Sequence, residues 1–278
     1  MDWVYRALRR TRPAILAVML KKLLRIERTV VQTSVGHRFS IDPVSHFGGE
    51  VLDTKIYEPV LTQLMSTLLR PGDVFVDVGA NEGYFPVLAS ALVGRAGKIF
   101  SVEPQSRLIP VIRENLRLLR EDKGIENVTL LNQAFAEQDG EMILHLTPIT
   151  NSGATSFHKH WKFGAGEEKV RVSTLDNFFR ANSLERVRLI KLDCEGAELS
   201  IINGALKILA ERKADFVSVD FHPAIAGKEA PVKIDQHLRK SGYRLSQAGT
   251  GIWVYHLPGL EEQLKSLGTP KEIAPLAA

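Results

Sequence analysis

Residues 73–84 read DVFVDVGANEGY, and no other stretch narrows the possible folds as far. A run of β-branched and apolar residues stops at Asp77, a turn carrying Gly79 and Gly83 follows, and an apolar helical stretch begins at once. The same unit then repeats in kind. KIFSVEP (98–104) is a strand, RLIPVIRENLRLLRE places its apolar residues at helical spacing, and NVTLLNQA (127–134) is a third strand. RLIKLDCEG (188–196) and DFVSVDFHP (215–223) are the fourth and fifth, each followed by a helical stretch. YRLSQAGTGIWVYHL closes the pattern as two strands around a Gly-Thr-Gly turn. Alternating strands and helices that finish in a hairpin predict an α/β fold: a doubly wound, mostly parallel sheet with a C-terminal antiparallel hairpin. Ligands on such sheets bind outside the carboxyl ends of the strands, where Asp77, Glu103, Asp193 and His222 fall.

The order breaks at 140–175, where GEMILHL and KVRVSTL flank the long loop TPITNSGATSFHKHWKFGAGEE. A connection of that length is a lid, a binding loop or disordered; His158, His160, Trp161 and Phe163 give it groups that could stack on a sugar or ring or simply be solvated, and a substrate lid is the favoured reading.

Charge is unevenly spread. Residues 1–30 hold eight Lys/Arg and two Asp/Glu, which exceeds the formal +4 of the whole chain. The rest is neutral to acidic, which argues against a nucleic-acid partner. The basic segment WVYRALRRTRPAILAVMLKKLLRIERTV is too short in its apolar run to span a bilayer and carries no cleavage site. Two readings remain: an interfacial helix broken near Pro13 that touches membrane, or a helical arm that packs on the domain or on a second subunit, the simpler of the two. The division expected is a basic arm and lead-in (1–50), the catalytic domain (51–258) and a tail (259–278). One cysteine, Cys194, excludes an intrachain disulfide and suggests a reducing, cytoplasmic setting, with membrane association left open by the arm.

The first turn is not the GxGxxG of dinucleotide folds. Its glycines stand only at 79 and 83, and Asp77 and Glu82 would repel a diphosphate with no lysine in the turn to offset them. A cationic ligand without phosphate suits it better, and S-adenosylmethionine, with its ammonium, sulfonium and ribose, is one. Glu103, at the end of the second strand, is placed to take both ribose hydroxyls. An NAD-dependent enzyme remains the rival.

The string DVFVDVGANEGY, with GKIFSVEPQ, NVTLLNQAFAEQDG, the GATSF loop, VRVSTLD and LIKLDCEGAEL, resembles the FkbM-type methyltransferases over about residues 50–222. The resemblance implies the class I methyltransferase Rossmann-like fold and S-adenosylmethionine-dependent O-methylation of a small molecule, glycan or secondary metabolite. It makes Asp77, Gly79, Ala80, Asn81, Gly83 and Tyr84 the methionine-side turn, Glu103 the ribose acid, and Pro104 and Gln105 the adenosine edge. It puts Ala134 beside the adenine, Asp193, Glu195 and Gly196 facing the methyl group, and the Tyr57–Glu58 pair over the cofactor. Pro86 and Asp220 depart from the family pattern, which commonly has threonine and glutamate there.

Side-chain alternation puts Asp220 and His222 on one strand face and Asp193 and Glu195 on another. His222 is the expected base, because its unperturbed pKa lies near neutrality, with Asp193 as its catalytic partner. A structural hydrogen bond before Pro223 is the competing role for His222. The same Asp/Glu/Asp/His group could hold a divalent cation, and Lys191 could pair with these acids instead. An inactive S-adenosylmethionine-binding protein is the alternative function. The acceptor and any homo-oligomer are not readable from the chain.

Overall fold

The computed structural model of the protein describes residues 2–158, 164–248 and 252–267. Its N-terminus is two helices, α1 (Asp2–Arg10) and α2 (Ala14–Leu23). They break at Pro13, which has no N–H to donate and keeps the residue before it out of helical geometry. A hairpin of β1 (Thr29–Gln32) and β2 (Arg38–Ile41) and helices α3 (His46–Thr54) and α4 (Pro59–Leu68) lead into the sheet.

The first half of the sheet comes from β3 (Val74–Val78), α5 (Tyr84–Val93), β4 (Lys98–Val102), α6 (Ile109–Lys123) and β5 (Val128–Leu131). A separate three-stranded sheet follows, from β6 (Ala134–Phe135), β7 (Gly140–Leu146) and β8 (Gly166–Ser173), with β7 and β8 antiparallel. After α7 (Leu175–Ala181) the main sheet resumes with β9 (Val187–Leu192), α8 (Glu198–Asn203), α9 (Leu206–Ala210) and β10 (Ala214–Val219). It ends with α10 (Pro223–Ala226), α11 (Ala230–Lys240), β11 (Arg244–Ala248) and β12 (Ile252–His256). The Gly249–Gly251 turn of that hairpin lies outside the described residues.

The seven strands stand in the order β11-β12-β10-β9-β3-β4-β5. Only β12 runs against the others, pairing antiparallel with both β10 and β11. The chain leaves β3 toward β4 and β5, then returns to β9 on the other side, so the switch in strand order falls between β3 and β9. That is where a doubly wound sheet opens a crevice.

Period-two alternation buries both faces of the sheet. Val76, Val78, Val102, Ile190 and Leu192 enter the core under α8, α9 and α11. Phe75, Ile99, Leu189, Phe216 and Val254 enter the opposite core with α4 and α5. The second core also takes in Val31, Phe39, Ile41 and Phe47, so the body of the domain begins well before residue 51. At the other end, a 3₁₀ segment (Glu261–Leu267) packs on α4 with Leu264 buried, so this part of the expected tail belongs to the core. No helix among the described residues is long and apolar enough to cross a membrane.

Candidate active site

A cavity with about 840 Å³ of open space lies beyond the carboxyl ends of β3, β4, β9 and β10. Gly79 makes the crevice between β3 and β9. Its φ is +87°, and a Cβ there would stand 2.0 Å from the Asp193 carbonyl oxygen, so only glycine lets the two strand ends approach.

One half of the cavity is walled by Val102, Pro104, Ala134, Phe135 and Leu144 around a single acid, Glu103. Its two carboxylate oxygens accept the backbone N–H of Asn81 (2.8 Å) and of Gln105 (2.9 Å). Burial pushes Glu103 up to about 7, against the pull of those hydrogen bonds. The 3₁₀ segment Ile149–Ala154 folds across this half. Ser152 donates to Asn81 Oδ1 (2.9 Å), Gln105 Nε2 donates to the Ser152 carbonyl (3.1 Å), and Thr155 donates to Gln105 Oε1 (3.1 Å). Arg107 braces the same Gln105 oxygen at 2.6 Å.

The other half gathers Tyr57, Glu58, Asp193, Glu195, Asp220 and His222. His222 Nδ1 lies 3.1 Å from the buried Glu198, and Nε2 lies 3.9 Å from Asp193 and 3.7 Å from Glu195. Burial alone would lower its pKa, but the Glu198 hydrogen bond and the surrounding carboxylates outweigh it and lift His222 to about 9. Glu195 is pushed up to about 7 and Asp220 to about 6, chiefly by burial. Burial and the Asp193 charge likewise raise Glu58. Asp193, Asp220 and His222 each offer a ligand atom within 4.8 Å of the others, whereas Glu195 is not part of that group.

Backbone strain marks the same place. Seven non-glycine residues among those described have positive φ, and three of them, Glu58 (+41°), Asn81 (+49°) and Glu195 (+48°), line this cavity. Such conformations cost roughly 1–3 kcal/mol each and persist where the surrounding structure holds them, commonly at functional sites.

Of the residues singled out from sequence, Glu58, Gly79, Asn81, Glu103, Pro104, Gln105, Ala134, Asp193, Glu195 and His222 line the cavity together. Asp77 does not. Its carboxylate is fully buried on β3, opposite Lys191 on β9, with Lys191 Nζ at 3.2 Å. Lys191 also reaches Asp193 (3.4 Å) and donates to the Gly79 carbonyl (3.2 Å). Burial opposes its charge, but Asp77 and Asp193 hold it protonated. Glu82 is buried too, against Arg28 (2.6 Å) and Ser45. The carboxylates whose repulsion argued against a diphosphate are therefore neutralised inside the protein, and the acidity of the crevice comes from other residues. Ala80 and Tyr84 face a smaller cleft behind the turn, where Tyr84 stacks on Phe39 at 5.1 Å. Gly83 caps α5 and lies against Ile112. The acids around His222 move it up from the near-neutral value of a free imidazole.

Sequence reading missed the side chains of Thr155, Ser156 and Phe157, which line the cavity, and Glu198 behind His222. The GATSF string was the available signal for the first three. Of the aromatic loop, His158 is described, while His160, Trp161 and Phe163 lie outside the described residues.

Strand order, the reversed β12 and a crevice between β3 and β9 define the Rossmann-like fold of class I methyltransferases. More narrowly, the model of the Methyltransferase FkbM domain matches residues 77–245, more than half of the chain, and the protein belongs to that family of S-adenosylmethionine-dependent methyltransferases. It is 22% identical over 192 residues to the hexuronic acid methyltransferase AglP of Haloferax volcanii, covering 69% of this chain and 73% of that one. It is 25% identical over 169 residues to the 2-O-methyltransferase NoeI of Sinorhizobium fredii, covering 54% and 65%. Among solved structures, the methyltransferase FkbM of Methylobacillus flagellatus aligns over 70% of this chain and 50% of that one, at 14% identity and a TM-score of 0.48.

The residues present fit the cofactor of that class. An apolar slot beside a buried acid with unused lone pairs suits a nucleoside, and the neighbouring carboxylates suit a cation.

Proposed function

We propose that the protein methylates a hydroxyl oxygen of a sugar-bearing or other small-molecule acceptor. The observation that carries this reading is the convergence of Asp193, Glu195, Asp220 and His222 at one end of a cavity whose other end combines apolar walls with Glu103. The names of two relatives, one specifying a hexuronic acid and the other 2-O-methylation, support an oxygen acceptor on a sugar.

S-adenosylmethionine supplies, when bound, an electrophilic methyl group on a cationic sulfur. Glu103 accepts ribose hydroxyls on the lone pairs left after Asn81 and Gln105. Pro104, Gln105 and Ala134 flank the adenosine, and Gly79, Asn81 and Glu58 hold the amino-acid end. Asp193 and Glu195 offset positive charge near the reacting carbon and orient the acceptor hydroxyl. Nε2 of His222 takes the hydroxyl proton after losing its own. A base with a pKa near 9 is scarce in its neutral form at pH 7 but strong when it forms. Alignment of acceptor and methyl group, with water excluded by the 149–156 segment, supplies much of the acceleration.

Titration calorimetry with S-adenosylhomocysteine and with NAD tests the cofactor, and only the former should bind. A panel of glycosides and small alcohols, read by transfer of labelled methyl, tests the acceptor. Labelled methyl should appear as an ether; binding without transfer to any acceptor would leave a cofactor-binding protein instead. Activity should survive EDTA, and a loss restored by magnesium would assign Asp193, Asp220 and His222 to a cation.

A further inference from the structure

The N-terminal arm carries an apolar face that the rest of the fold leaves bare. α1 and α2 meet the body through Leu8, Ala17 and Val44, with Lys21 on Asp42 and both Arg6 and Arg9 on Asp53. These contacts occupy one side of the arm. On α2, Ile15, Leu16, Met19 and Leu23 point the other way, and at helical spacing they fall with Lys22 within about 120° of arc. Met19 is 63% exposed, Leu23 77%, and Trp3 on α1 75%. Seven of the nine exposed large hydrophobic side chains among the described residues lie between Trp3 and Val30. Such a concentration differs from the ordinary scatter of single apolar groups on a surface.

The charge along the arm is mostly basic: exposed Arg6, Arg10, Arg12, Lys22 and Arg25 stand against one exposed acid among the described side chains, Glu27. Arg10, Arg12, Lys22 and Arg25 are exposed and have no acidic partner among the described residues. Arg12 donates only to backbone carbonyls of Arg9 and Thr11. We propose that the outer face of α2, with Trp3 and these basic groups, docks the protein peripherally on an anionic lipid bilayer.

Three points favour lipid. A second copy meeting this face about a two-fold axis would bring the same unpaired cations toward their own images, whereas a layer of anionic headgroups neutralises them. The face is the exposed side of α2, with Lys22 at one edge of its apolar arc and Arg12 and Arg25 beyond its two ends, the division of acyl chains from headgroups that interfacial helices make. No helix among the described residues is long and apolar enough to cross the membrane, so the contact is with its surface. α2 also packs against the Ile149–Ala154 segment, so the docking helix stands one packing layer from the cavity.

Vesicle co-sedimentation of the full chain tests this. Binding to mixed phosphatidylcholine and phosphatidylserine vesicles should exceed binding to phosphatidylcholine alone by more than about tenfold, and added salt should weaken it. Met19→Glu/Leu23→Glu should reduce the partition coefficient by more than about tenfold while S-adenosylhomocysteine affinity and Tm stay at wild-type values. Lys22→Glu/Arg25→Glu should abolish the preference for phosphatidylserine. The proposal is overturned if the wild type binds neither vesicle, or if it binds both and neither double variant changes that. A concentration-dependent dimer that Met19→Glu/Leu23→Glu converts to monomer, without vesicle binding, would also overturn it and make a second copy the occupant.

Discussion

Glu103 carries two backbone N–H groups and still faces the cavity, so its replacement separates shape from charge. Glu103→Gln should weaken S-adenosylhomocysteine by about 10- to 100-fold, the loss of one or two charge-assisted hydrogen bonds. Calorimetry reads this directly, and unchanged affinity would remove Glu103 from the ribose. Behind His222, Glu198 accepts from the backbone N–H of Cys194 and of Gly196 as well as facing the imidazole. It therefore sets both the loop and the charge state of the ring. With Glu198→Gln, the pH at which kcat reaches half its plateau should move down from near 9 toward ordinary imidazole values, because a principal cause of the upward shift is gone. A profile that does not move, or one that already plateaus near pH 7 in the wild type, would transfer the role of base from His222 to a carboxylate. Asp193, Glu195 and His222 could be picked out of the sequence because strand ends announce themselves. The pKa values could not, since each depends on groups from other strands.

At the scale of elements, the join between β3 and β9 matters most. Asp77 and Lys191 stand opposite one another in the parallel register, and Lys191 bridges on to Asp193. Lys191→Met leaves Asp77 buried without its counterion and should cost about 3–5 kcal/mol by chemical denaturation. The double change Asp77→Leu/Lys191→Met should recover much of that loss, since an apolar pair of similar volume replaces the ion pair. If the double variant is as unstable as the single, the pair has some further role. From Val74 onward the main strands and helices were legible, down to the reversed final hairpin, because period-two and period-3.6 patterns are local, whereas the β1–β2 hairpin, α3 and α4 before them were not read. The pairing of Asp77 with Lys191 was not, because register between strands more than a hundred residues apart is a long-range property. That gap is why Asp77, expected on the ligand side of the turn, stands buried against Lys191 outside the cavity lining. The ties of Ser152 and Thr155 to Asn81 and Gln105, within the loop read as a lid, are long-range in the same way.

For the whole molecule, the raised acids of the cavity couple stability and ligand binding to pH. Glu103, Glu195 and Asp220 have folded-state pKa values of about 7, 7 and 6, above those of free carboxyls. The folded state therefore keeps protons that the unfolded state releases, and the contribution of these groups to stability falls as pH rises from about 4 to 7. His222, raised to about 9, stabilises fully below its ordinary value near 6.5, and that contribution is lost as pH climbs through 9. Thermal melts of the cofactor-free protein should show Tm declining across this range. A cationic cofactor favours the ionised acids, so its binding should release protons and tighten between about pH 6 and 8, which calorimetry in buffers of different ionisation enthalpy measures. A rising Tm, or proton uptake on binding, would contradict these assignments. The amino-acid sequence by itself determined the α/β plan, the family resemblance and the end of the sheet at which the cavity forms, because strand periodicity and glycine turns are written in adjacent residues. Tertiary structure alone decided which acids face the cavity and which are cancelled by Lys191 and Arg28, how strongly His222 is held in its charged form, and which side of α2 is left uncovered. Those depend on the distance, register and desolvation of groups that only the folded chain brings together.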